Sequence, residues 1–194
     1  SINTVSQTLQ SDGGKVAQKK LSWNKFVNKY GHLRPGAYDI TSVCYANASK
    51  EYLLPIVKNK PSKDITENKY EWSKKTKMAI EAALKKANLD ISESEFTNFL
   101  RSSIEGRELA KFSFTKYLNA ALENIATFGD SHNVSREKLS HIRVKDILEL
   151  RAANPDSIQR ILSRHFDIGS KAHDLTQSVC LPSCIFSQTD FVCM

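Results

Sequence analysis

Eleven residues of this chain carry an unusual density of reactive side chains for a connector: Tyr30-Gly31-His32-Leu33-Arg34-Pro35-Gly36-Ala37-Tyr38-Asp39-Ile40. His32, Arg34, Tyr38 and Asp39 can bind carboxylate, phosphate or hydroxyl groups. Gly31 and Gly36 free the backbone, and Pro35 stiffens it. Loops of this kind on a helical scaffold are where binding sites commonly sit. The competing reading is a packed turn, with Asp39 capping Thr41 or paired with Arg34 and His32 satisfied by hydrogen bonds.

A second constellation lies far along the chain. Steps of four and three residues trace Leu100, Ile104, Arg107, Lys111, Phe114, Leu118, Ala121, Ile125 and Phe128, which reads as one seam facing bundle neighbours. Arg107 and Lys111 interrupt it. A cation on an apolar stripe must snorkel to water or meet an anion, because an unpaired buried charge is strongly disfavoured. That anion is either a protein carboxylate, with Glu105, Glu108 and Asp39 as candidates, or a ligand.

The elements that must position these groups are helical. Ser22 can cap a helix through Trp23, Phe26, Val27 and Tyr30 that stops at Gly31. A second is expected from Asp64 or Thr66 to Ala87. The third opens on the capping-box pattern Ser92-x-x-Glu95 and keeps its apolar period to Phe128, with Gly129 placed to end it. Its length, roughly 55 Å at 1.5 Å per residue, suits the organiser of a bundle. Shorter helices are expected at 135–141 and 143–152, then one from Asn154-Pro155 to Phe166, and a last one from Ser170 that ends before Pro182. The fold expected is all-α: a helical bundle organised by one long helix, with an irregular segment from Gly31 to Pro61 and a short extended C-terminal tail. The divisions read as a polar segment 1–21, a helical domain 22–181 and a tail 182–194.

Composition narrows the function classes. Apolar residues make up 40% of the 194 and charged residues 25%, the balance of a folded globular chain. With seven Gly, neither G-x-x-x-x-G-K-[ST] nor G-x-G-x-x-G occurs, so no phosphate-cradling glycine loop is present. No apolar run is long enough to span a bilayer and Ser1 to Gly14 has no signal core, so the expectation is a cytoplasmic protein without membrane contact. The net charge of +7 owes much to the lysines between Lys58 and Lys86. That stretch lacks an interleaved aromatic series, which argues for a solvated helix face over a nucleic-acid surface. Four cysteines are too few for a disulfide framework. Cys180-x3-Cys184-x8-Cys193 with His173 has zinc-compatible ligands but lacks a C-x2-C pair, so reduced thiols and no metal are expected. His132, His141 and His165 read as surface or core residues, and no nucleophile elbow occurs.

The run from Phe26 to Ile40 resembles the "KYGHLRPGTYDI" segment of phosphoenolpyruvate synthase-like phosphotransferases, related to pyruvate, water dikinase. Ile104 to Phe112 is similar to that family's "IEAREYAKF" helix, Val134 to Ser140 to "ISREDLS", and Val179 to Asp190 to "IKLPPLI...D". The four matches keep the family's order and span most of residues 22 to 191. Val43-Cys44-Tyr45 departs from the family's "PRY" and loses a basic residue. In such enzymes an ATP-grasp domain phosphorylates a histidine on a swivelling domain, which delivers the phosphoryl group to an acceptor. The resemblance implies a helical acceptor-side or connecting domain, partnered by flanking ATP-grasp and phosphohistidine domains. It implies ATP and Mg for the parent enzyme and no cofactor within this segment. Neither the ATP site nor the phosphohistidine motif falls within these residues, so no catalytic residue is assigned and the piece alone is expected not to turn over ATP. His32, Arg34, Tyr38, Asp39, Arg107 and Lys111 are expected to form one polar pocket for an acceptor's carboxylate or phosphate. The rival expectation is a spacer in which these residues form an internal ion-pair network.

Overall fold

A computed structural model describes residues 4–59, 71–180 and 192–193, the side chains of Cys180, Val192 and Cys193 excepted. It is all-α, as expected. The helices are α1 (Val5–Ala17), α2 (Trp23–Tyr30), α3 (Ser49–Lys58), α4 (Lys74–Lys86), α5 (Glu93–Ser131), α6 (Arg136–Ser140), α7 (Val144–Glu149) and α8 (Ile158–Gln177). The tail contributes a two-residue antiparallel pairing of β1 (Val179–Cys180) with β2 (Val192–Cys193). Among the described residues no helix is long and apolar enough to cross a membrane. The chain divides into two compact units, 1–37 with 43–119 and 38–42 with 120–194.

In the first unit the caps follow the sequence. Ser22 Oγ accepts from the Lys25 amide, and Ser92 and Glu95 close the capping box in both directions. Two helices were not legible. α1 begins on a capping box of its own, Thr4 with Gln7, inside the stretch 1–21 read as a polar segment. α3 lies inside the segment read as irregular and carries Pro55 in its interior, where the ring removes one backbone donor. The start expected for α4, at Asp64 or Thr66, lies outside the described residues, and its described helical stretch begins at Lys74.

The core of this unit is built from Phe26, Tyr30 and Leu53, with Leu9, Val16 and Ile56 packed against them. α1 reaches α3 closely at Gly13, where a Cβ would stand 2.8 Å from Ile56 Cγ2. At the edge of this core Asp12, buried to 6% exposure, accepts hydrogen bonds from Lys15 Nζ and Lys29 Nζ at 2.8 Å and from the Tyr30 hydroxyl at 2.9 Å. Burial alone raises a carboxyl's pKa, but the three donors outweigh it and hold Asp12 down at about 2. Burial and the same carboxylate push the Tyr30 phenol up.

The second unit closes around Leu122, Ala126, Leu139, Ile142, Leu150 and Leu162. Arg136 fastens it, donating to both Glu123 oxygens at 3.2 and 2.7 Å and to the Ile40 carbonyl at 3.1 Å. The helix expected to stop at Phe166 and the one expected from Ser170 are a single α8. Gly169 in its middle touches the His141 backbone, and a Cβ there would collide with the His141 carbonyl. Gly129 does not end α5, which runs two residues further. The glycine is buried where a Cβ would meet Leu139 Cδ1 at 2.5 Å, and the left-handed turn falls to Asn133, φ 57°.

Two stability predictions result. Asp12 is anionic in the fold far below its ordinary range, so its contribution is complete above about pH 4 and disappears as pH falls toward 2. Chemical denaturation should show about 2 kcal/mol lost over that window, and Asp12→Ala should be destabilised at pH 7 while losing this part of the pH dependence. Gly169→Ala, which in an open helix would stabilise, should instead lower stability by about 1–3 kcal/mol, read as a fall in Tm.

Candidate functional site

The rotation of α5 decides which side chains reach the loop. The face that is buried or half-buried runs Glu105, Glu108, Phe112, Thr115, Asn119, Leu122, Ala126 and Gly129. This is the expected seam displaced by one residue, a turn of about 100°. The seam reading is therefore corrected for its first half: Arg107 is 78% exposed, Lys111 is exposed and Phe114 is 52% exposed, whereas Leu118, Ile125 and Phe128 of the expected seam are half-buried. The cations do not interrupt a buried stripe, and their presence needs no internal anion.

Within the first unit the loop and α5 meet at Phe112. The His32 ring lies edge-on to the Phe112 ring with centroids 4.7 Å apart, and Nε2 is 3.2 Å from the Phe112 carbonyl. Burial, then the charge of Lys116, push the imidazole below its ordinary value, while the Phe112 and Lys29 carbonyls pull the other way. A neutral His32 donates from Nε2 to Phe112, which fits a clamp between loop and helix better than a general base. Arg34 is buried to 7% exposure and donates from a guanidinium nitrogen to Asn119 Oδ1, one turn beyond Thr115.

His32, Arg34 and Lys111 line one cavity of about 360 Å³. Its remaining walls include Leu9 of α1, Tyr45, Glu108 and Phe112. The volume falls within the range of small-molecule sites. Arg107 does not line it, but its guanidinium is 3.9 Å from Glu108, the carboxylate at the rim. Tyr38 and Asp39 belong to the second unit. Tyr38 is 69% exposed, and Asp39 Oδ1 accepts from the Thr41 amide at 2.8 Å and the Thr41 hydroxyl at 2.7 Å, the turn geometry weighed as the plainer reading. The structure thus brings together His32, Arg34 and Lys111, and leaves Arg107, Tyr38 and Asp39 outside this cavity.

Reasoning from sequence missed Tyr45, Phe112, Thr115 and Asn119. Phe112 and Tyr45 sat inside motifs already noted, but nothing in their spacing tells which face of α5 turns inward. Cys44 is a buried free thiol, and Tyr45 beside it stacks on Tyr52 at 4.9 Å. The zinc reading falls outside the described residues, because Cys184 and the side chains of Cys180 and Cys193 lie there. Among the described residues no group of three or more His, Cys, Asp or Glu could hold a metal ion. His132 contacts the Phe128 carbonyl, His165 the buried Asp146, and His141 the rings of Phe166 and His173. No family model, curated protein or solved structure matches this chain.

The clamp has a measurable signature. The His32 imidazole should titrate below 6.5 in a histidine-resolved NMR titration, and because its neutral form is favoured in the fold, stability contributed at pH 7 should decline as pH drops through that range.

Proposed function

We propose that this chain is the helical acceptor-side or connecting domain of an ATP-dependent, phosphoenolpyruvate synthase-like phosphotransferase that works through a phosphohistidine carrier. The cavity between loop and α5 would receive the anionic group of a small acceptor. One observation carries this reading: two of the stretches that resemble the family, Phe26 to Ile40 and Ile104 to Phe112, lie far apart in sequence yet supply His32, Arg34, Glu108 and Lys111 to one cavity. In that role Arg34, held by Asn119, supplies positive charge in the cavity wall, and Lys111 meets the carboxylate or phosphate. ATP, Mg and the phosphohistidine belong to flanking domains of the parent enzyme, which we place in the cytoplasm.

A spacer role is the second reading, favoured by the clamp of His32 on Phe112 and by the bond from Arg34 to Asn119. The two readings part on anion binding. Calorimetric titration with inorganic phosphate and with pyruvate should give saturable binding that Lys111→Met weakens by about tenfold, while Arg107→Met changes it by less than about twofold. Absence of any saturable binding in the unaltered chain would leave the spacer. Lys111 is exposed, so its replacement does not endanger the fold.

A further inference from the structure

A second cavity, of about 510 Å³, opens along α5 on the N-terminal side of the first. It is walled by Tyr30, Leu109, Phe112 and the first turns of α1 through Val5 and Thr8, with Gly106 on the α5 side. Val5 and Phe112 line both cavities. The two spaces are therefore neighbours that share two apolar side chains, Val5 at the start of α1 and Phe112 on α5.

Their charges differ. Arg34 and Lys111 line the first cavity together with Glu108, which Arg107 approaches at 3.9 Å. In the second, Lys29 is tied to Asp12 at 2.8 Å and Glu105 and Ser102 add polar groups along one edge, while Val5, Tyr30, Leu109 and Phe112 supply apolar wall. Gly106 and Lys111 are five residues apart on α5, about 8 Å along its axis. A side chain at 106 would project into open space, since a Cβ there has no neighbour within 4 Å.

We infer that the two cavities form one bipartite site for a small amphiphilic anion, its carboxylate or phosphate at Arg34 and Lys111 and its apolar body lying past Val5 and Phe112 against Tyr30, Leu109 and Gly106. This inference rests on the anion-binding reading of the first cavity and adds the class of molecule: one terminal negative group on an apolar chain or ring. Arg34 and Lys111 set the polarity of the ligand, and the apolar wall of the second cavity rewards added methylenes by burying them.

The test is a chain-length series of linear carboxylates, acetate to decanoate, titrated below the concentration at which they aggregate, with decanol as the uncharged control. The unaltered protein should bind decanoate at least about tenfold more tightly than acetate, and decanoate more tightly than decanol. Gly106→Leu fills the second cavity from a helix position that tolerates it, since leucine is the better helix former and the Cβ meets nothing. It should remove most of the gain from acetate to decanoate while leaving acetate binding unchanged. Lys111→Met should weaken every carboxylate and leave decanol alone. A flat series in the unaltered protein, or a decanoate affinity that Gly106→Leu does not touch, overturns the bipartite site but leaves anion binding standing. Equal affinity for decanoate and decanol instead removes the anion reading itself.

Discussion

The Phe112 ring meets His32 at 4.7 Å and Tyr30 at 5.9 Å, and its carbonyl lies 3.2 Å from His32 Nε2. Tyr30 in turn is part of the central cluster with Phe26 and Leu53 and donates to the buried Asp12. One aromatic side chain thus ties the rotation of a 39-residue helix to the core of the first unit. Once Phe112 faces inward, the helical period requires Glu108, Thr115 and Asn119 to follow and sends Arg107 and Phe114 outward. The placement of every candidate ligand group on α5 is a consequence of that single contact.

Asp12 plays the matching part on the other side of Tyr30. A carboxylate at 6% exposure is expensive unless its lone pairs are filled, and here two ammonium groups and a phenol fill them. Because Lys15 belongs to α1 and Lys29 and Tyr30 to α2, the charge cluster sets how α1 lies on α2, and α1 is the wall that both cavities share. A change at Asp12 is therefore coupled to the site through Val5 and Leu9 without touching a ligand group. The closeness of α1 to α3 at Gly13 acts in the same sense, since any side chain there meets Ile56.

Much of the architecture was legible in the chain itself. Ser22 and the Ser92 and Glu95 pair mark real helix starts because a cap is a local event, satisfied by groups three residues away, whereas Asn154 caps only a single 3-10 turn, Pro155–Ser157, ahead of α8. The long helix was legible because its apolar period persists. What local reasoning could not see was held by tertiary contacts. α1 has two glycines in its interior and reads as polar, yet packing on Leu53 and Ile56 keeps it helical. α3 tolerates Pro55 for the same reason. Gly129 and Gly169 look like stops or weak points, and each instead marks a place where another part of the same unit comes within contact distance.

The one-residue error in the face of α5 has a physical cause that bears on function. Along the stretch from Leu100 to Asn119 the apolar residues Leu100, Ile104 and Phe114 lie on the exposed side, whereas the inward side carries Glu105, Glu108, Thr115 and Asn119 beside Phe112. A rule that buries the greasiest stripe must choose wrongly wherever a helix turns polar groups inward. Turning them inward costs desolvation, and it is sustained only where partners exist: Thr115 Oγ1 donates to the Phe112 carbonyl, and Asn119 accepts from Arg34. On the inward face these satisfied polar groups share the helix with Phe112, Leu122 and Ala126, so the rotation of α5 is set by apolar contacts and buried hydrogen bonds together.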